Sequence, residues 1–433
     1  MNKRNETNTI TTLLLLIWLC HVCQPGYAQA RIPAPPQVGP VALTGGDIHT
    51  GTGEVITGGT LVFDQGRIVA VGEAVSIPEG ARVMDVSGKQ VHPGLVLGRT
   101  TLGLTEIGRH AESTDLVEFG DINPNIRPQV AFHPASEHLG VAAVHGITTV
   151  VAMPAGGIIP GQAAAMMTDG WTWEQMSLQA PLGMVVNWPG GRDEEARAKA
   201  MERLQQAFDQ ARRYQIASEA GMQTPGKRLQ KDVQWEAMLP VLRRELPVFI
   251  MANEIDQIQA AVQWAEKEQL RMVLVGGRDA GYVADQLAEK DIAVMVTPVI
   301  AGPSRAWEGY DQSYRLPYIL YQAGVRFCIA GEPSAAGAYR LPHHAAAAVA
   351  FGLPKEEAMK AITLYAAEIL GIDTLVGSIE VGKDATIMVS SHDPLETSST
   401  THMVFIRGRQ LDTVDKHKRL YELYMEKTRQ GGP

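Results

Sequence analysis

Seven short apolar runs with little polar alternation recur along the middle of the chain, at 94–100 (GLVLGRT), 146–154, 182–188, 247–253, 271–277, 292–300 and 325–331. Unalternating runs of this length read as strands buried on both faces. Between the later runs the period changes, and 255–269, 280–291 and 313–324 read as amphipathic helices. A β-α rhythm sustained over 93–375 predicts an α/β fold, a parallel (β/α)8 TIM-like barrel with its chemistry at the C-terminal strand ends. A doubly wound open sheet is the alternative, opposed by the lack of a glycine-rich dinucleotide loop after an early strand. The helical stretch 193–220 and the segment 226–246 read as insertions between barrel strands. Residues 31–92 and 376–412 have another texture, short β-type runs separated by Gly and Asp or Ser turns. They predict a small β-sandwich built from both termini, with 413–433 following as a C-terminal helix or tail.

The first thirty residues stand apart. Lys3 and Arg4 precede an apolar run, and Ala28-Gln29-Ala30 closes the segment, the order of a secretory signal peptide. Cleavage is expected after Ala30, giving a periplasmic or secreted protein. The apolar run is too short for a comfortable span, so no stable membrane insertion is expected. Cys20 and Cys23 raise the question of a lipid anchor, but Leu19 and Val22 before them are not the small residues that such a site takes. Cleavage leaves Cys328 alone in the apolar run VRFCIAG, which makes it a buried hydrophobe and rules out an intramolecular disulfide. With 45% hydrophobic and 20% charged residues the chain is a globular one, and a net charge of −9 with no basic run argues against nucleic-acid partners.

Several residues could carry chemistry. The stretch 103–124 holds Glu106, His110, Asp115, Glu118 and Asp121, a supply of carboxylates and an imidazole for general acid–base work, or simply an exposed acidic loop. In 152–166, Gly156, Gly157 and Gly161 allow a backbone to approach a ligand closely beside Gln162, or make a tight turn. Trp171 and Trp173 could stack on a ring or pack ordinarily. His343 and His344 are adjacent on a helix and point about 100° apart, which is poor geometry for one ion. His133, His138 and His145 are scattered and read as structural.

The chain resembles the amidohydrolase superfamily, in particular its secreted, imidazolonepropionase-like members. The resemblance rests on GGTLVFDQGRIVAVGE, VHPGL before the first barrel strand, RLPHHAAAAVAFGLPKEEAMKAITLYAAEILGI, and VGSIEVGKDATIMVSSHDPLE with its turn at Gly382–Ala385. It implies a barrel mouth holding divalent metals on an Asp and a His-x-His of the first strand, a His on each of the fifth and sixth, and an acid on the eighth. The resemblance puts Leu97, Arg99 and Thr101 at the first-strand positions, Met251 and Gly276 at the next two, and leaves only Glu332 as an acid. Guanidinium, thioether and glycine are poor donors for a hard or borderline ion, so no cofactor is expected and zinc is disfavoured. The candidate catalytic residues are Arg99, Glu106 and Glu332, and the candidate substrate-binding residues Thr101, Met251, Gly276, Gly157, Gly161 and Gln162, with no metal ligands expected. Because a buried guanidinium needs an anion, Arg99 is expected to pair with Glu332 or, failing that, Glu106. Two functions stay open: a hydrolase of cyclic or linear amide C–N bonds with a degenerate metal site, and a non-catalytic relative that binds a small periplasmic ligand or supports an active paralogue as a subunit. Homo- or hetero-oligomers with such a paralogue are the expected partners. A purely structural role is discounted, because a barrel mouth with glycine-rich loops is a ligand-site architecture.

Overall fold

The computed structural model describes residues 31–191, 193–222 and 230–431. The signal-type segment with Cys20, Cys23 and Ala30 lies outside them. Five strands come first: β1 (Val41–His49), β2 (Val55–Asp64), β3 (Arg67–Gly72), β4 (Arg82–Asp85) and β5 (Gln90–Pro93). Eight build the barrel: β6 (Leu95–Thr100), β7 (Ile147–Ala152), β8 (Gly161–Met167), β9 (Ser177–Asn187), β10 (Val248–Ala252), β11 (Met272–Gly276), β12 (Ala293–Val296) and β13 (Phe327–Ile329). The chain returns through β14 (Ile387–Ser390), β15 (Thr401–Ile406) and β16 (Arg409–Gln410) and ends in the helix Lys416–Arg429.

The two chain ends share one sheet, ordered β16-β15-β14-β5-β1-β2-β3 with β4 also on β1. The joint is β14 against β5, antiparallel, from Ile387 opposite Pro93 to Ser390 opposite Gln90. Phe63 of β2 and Phe405 of β15 meet edge to face at 5.1 Å although three strands separate theirs in the sheet. The sheet therefore folds over on itself into a sandwich, and Leu43, Leu61, Ile68, Val91 and Ile387 fill the space between its halves. The turn Gly382–Ala385 locks this return. Asp384 in it, 2% exposed, accepts from Arg407 at 2.8 Å and forms an ion pair with Arg67 at 3.0 Å, one guanidinium from each end of the chain.

The barrel sheet runs in chain order from β6 to β13. Alternate residues face two cores. Val96, Val151, Ala163, Phe249, Val275, Met295 and Cys328 fill the inside, while Leu97, Val150, Ile250, Leu274 and Ile329 face the helices. The expectation of an all-parallel barrel is corrected at one strand. β8 pairs antiparallel with both β7 and β9, so β7–β8–β9 is a meander with no crossover helix. The other pairs are parallel, and their crossovers include the helices Glu137–Val144, Glu194–Met222, Ile255–Lys267, Ala284–Glu289 and Gln312–Gln322. No strand ladder joins β13 to β6. The seam is held at the mouth, where the Thr101 N–H donates to Pro333 O at 2.8 Å and the Thr101 hydroxyl accepts from the Ala335 N–H at 3.1 Å. Among the described residues no helix is long and apolar enough to cross a membrane.

Candidate ligand site at the barrel mouth

A cavity of about 340 Å³ opens at the C-terminal ends of β6, β10, β11 and β12, between the strands and the segment after β12. This is the end of a barrel where ligands and chemistry are found. Arg99 reaches it because β6 is irregular: its register against β7 shifts between Leu97 and Thr100. Gly98 faces the barrel interior, where a Cβ would meet Met295 Cε at 2.8 Å and Ala330 Cβ at 3.2 Å. The bulge that follows turns Arg99 toward the cavity instead of out to the helices. Gly276 lines the same cavity with φ +96°, and a Cβ there would lie 2.5 Å from Asn253 Oδ1.

The expected ion pair is not formed. Glu332 is bonded to Arg340. Glu106 Oε1 accepts from the Glu137 N–H at 3.2 Å, at the start of the helix Glu137–Val144, where a carboxylate offsets the positive end of the helix. Both acids therefore have closer donors of their own, and Arg99 has neither a carboxylate nor a hydrogen-bond acceptor among the described residues. Its burial lowers its pKa.

Acids elsewhere in the mouth are already engaged. Asp279 receives Arg305 through two bonds, at 2.9 and 2.5 Å, and the Ile255 N–H at 3.2 Å. Glu308, its side chain 3% exposed, takes Arg305, the Ser304 N–H at 2.5 Å and the Ser304 hydroxyl. Burial pushes its carboxyl up, but the donors from Ser304 and Arg305 outweigh that and hold it at about 2. A carboxylate that weakly basic abstracts no proton near neutral pH. Thr297 donates its hydroxyl to Gly331 O at 2.6 Å and Ser313 donates to Ala301 O at 2.7 Å.

The remaining sequence candidates fall elsewhere. Leu97 faces the helix layer, so the aspartate position of the resemblance does not point into the mouth at all. Met251 packs on the inner barrel core, and Thr101 holds the β13–β6 seam. The glycine-rich stretch is closed by protein rather than open to a ligand. A Cβ on Gly157 would lie 2.9 Å from Asp121 Cα, one on Gly161 2.8 Å from Ile126 O, and Gln162 donates to Pro124 O at 3.2 Å. The acidic stretch is strapped to that same turn by bridges from Val117 to Ala155 and from Ile122 to Ile159, and Asp121 pairs with Arg203. Its carboxylates do not converge. Trp171 is exposed, and Trp173 packs on the outer core. His344 is buried and accepts from the Ile300 N–H at 3.1 Å, and burial lowers its pKa to about 4. His138 bonds Glu106 O and His145 bonds Val141 O.

Sequence reasoning missed Arg278 and Gln312, which line the cavity. Arg278 follows Gly276-Gly277 at the end of β11, a strand-end position that could have marked it. Gln312 carries no such signal. The divalent metals implied by the resemblance do not fit this donor set: among the described residues no three of His, Cys, Asp and Glu come together as a metal site.

Comparison with known proteins agrees with the architecture. Residues 317–413 match the amidohydrolase family. Amidohydrolase tasK of Hapsidospora irregularis is 21% identical over 404 residues, 84% of this chain, and the chain spans only 41% of that relative's length. Imidazolonepropionase of Acidiphilium cryptum (strain JF-5) is 25% identical over 79% of this chain and 89% of its own. Among solved structures, an amidohydrolase from Thermotoga maritima MSB8 superposes with a TM-score of 0.80 at 24% identity, covering 86% of this chain and 99% of that one.

Proposed function

The chain belongs to the amidohydrolase superfamily, and from that membership we propose that its barrel mouth receives a small carbon–nitrogen compound and holds it without a hydrolytic metal. The coarser class, a hydrolase fold acting on C–N bonds, is supported by relatives named amidohydrolase and imidazolonepropionase. The metal-free reading rests on one observation, an Arg99 guanidinium without an anion in the mouth. A permanent positive charge there repels a divalent cation, and among the described residues no converging set of His, Cys, Asp or Glu offsets it. What this chain's own residues can do is bind and orient. Arg99 supplies directional donors, Gly276 leaves room beside Asn253, and the Asp279–Arg305–Glu308 network fixes the segment that roofs the cavity. Glu308 stays ionised and occupied, so the mouth has no free base in its place.

The discriminating experiment assays the purified full-length protein on N-acyl amino acids and cyclic amides while following ligand-induced thermal stabilisation. Stabilisation without turnover supports binding. Saturable turnover abolished by a chelator overturns it.

A further inference from the structure

Among the described residues, the buried side-chain polar atoms of the mouth cavity that lack a hydrogen-bond partner are both donors. Arg99 brings a guanidinium with no acceptor. Gln312 Nε2 is buried without a hydrogen-bond partner, and so is Arg278 Nε, whose nearest acid oxygens lie at 3.7 and 3.9 Å. The acceptors that could have satisfied them are committed. Asp279 and Glu308 are bonded to Arg305 and to backbone N–H groups, and the Thr297 and Ser313 hydroxyls are turned toward carbonyls. Leaving buried donors unmatched is costly, and natural interiors match nearly all of them with an acceptor from protein, water or a bound molecule. The rest of the wall is apolar, formed by Pro298, Pro303, Leu316 and Pro333. At about 340 Å³ the space lies at the small end of ligand pockets.

We propose that this cavity is a carboxylate site, in which the acid group of a small organic acid with an apolar body, the size of an N-acyl amino acid, docks on Arg99 with Gln312 as a second donor. A planar guanidinium matches a carboxylate through two parallel bonds, which a neutral amide of the same shape cannot accept. The ligand class is thus a free carboxylic acid rather than its carboxamide, and the inference rests on the preceding reading only in placing the ligand at the mouth. Arg278 adds positive field at the same wall while staying near Glu254 at 3.5 Å.

The test is calorimetric titration of the full-length protein with N-acetyl-L-proline, N-acetyl-L-prolinamide and sodium sulfate as probes. The acid is expected to bind at least about tenfold more tightly than its amide, since a charge-assisted bidentate pair is lost with the amide. Arg99→Met should abolish that preference by weakening the acid far more than the amide, Arg99→Lys should restore part of it, and Gln312→Leu should weaken the acid by a smaller factor. A circular-dichroism melt of each variant establishes that it is folded. Equal binding of acid and amide, an acid affinity untouched by Arg99→Met, sulfate binding as tightly as the acid, or no binding of any probe would each overturn the assignment. Turnover and metal content are read separately, so an active, metal-loaded protein would refute the metal-free reading without deciding the acid-over-amide preference.

Discussion

Glu332 gives its carboxylate to Arg340, eight positions further along the chain, and leaves Arg99 at the barrel mouth with no anion among the described residues. The two arginines should therefore respond in opposite directions to removal of charge. Arg99→Met is expected to raise the unfolding free energy by about 1 kcal/mol, because a desolvated, uncompensated charge goes. Arg340→Met should lower it by up to about 1 kcal/mol, the scale of a partly exposed pair. Urea unfolding of both variants beside the wild type checks this, and a destabilised Arg99→Met would mean that the guanidinium has a partner.

Asp384 is the reverse case, a buried carboxylate held by two guanidiniums from opposite ends of the chain. Asp384→Ala is expected to cost about 3–5 kcal/mol, since Arg67 and Arg407 lose their common partner inside the sandwich joint. Urea denaturation gives the value. A loss under about 1 kcal/mol would show that the joint does not depend on this triad.

How much of this could be read from the chain divides along physical lines. The parallel strands were legible because strands buried on both faces are apolar throughout, and the terminal sheet because Gly and Asp turns bound its short runs. β8 was not: Gly161-Gln162-Ala163-Ala164-Ala165 has glycine, glutamine and alanine where strands favour branched or aromatic residues, so it reads as a ligand loop. Only pairing with β7 and β9 makes it a strand. The direction of Leu97 and Arg99 was hidden for another reason, since one bulge reverses which residues face inward and no local pattern reports it. The partner of Arg99 was out of reach as well, because the competition of Arg340 for Glu332 exists only once the chain is folded.

Two acid responses are expected, in separate windows. His344 stays neutral because burial lowers its pKa from 6.5 to about 4. The unfolded chain then binds more protons between those values, so stability falls as pH drops from 6.5 toward 4. His344→Leu should flatten that limb of a stability-against-pH curve. It should also cost about 1–3 kcal/mol at pH 8, where the Ile300 N–H loses its acceptor. An unchanged slope would refute the buried neutral imidazole.

Glu308 acts lower. Its folded-state carboxyl is held at about 2 against an ordinary 4.5, so its contribution is complete above 4.5 and is lost as pH falls toward 2. Glu308→Gln should remove the acid sensitivity of the 301–309 segment in that window, measured by hydrogen exchange of the Ser304 and Arg305 amides that now bond the carboxylate. Exchange in the wild type that is indifferent to pH below 4.5, after correction for intrinsic rates, would contradict the network.

Gly276 tests the cavity without touching a charge. Gly276→Ala places a Cβ 2.5 Å from Asn253 Oδ1 at a φ of +96°, a conformation that L residues rarely adopt. It should destabilise the protein by about 1–3 kcal/mol and weaken N-acetyl-L-proline binding, with calorimetry and melting as readouts. A fully stable variant with unaltered binding would remove this glycine from the site.

The central claim is that the barrel mouth holding the Arg99 guanidinium works without a divalent metal. Metal content answers it most directly: elemental analysis of full-length protein purified from zinc-supplemented medium and dialysed without chelator. The account predicts far less than one metal ion per chain, unchanged in Arg99→Met. One or two zinc ions per chain, retained through dialysis, would contradict it.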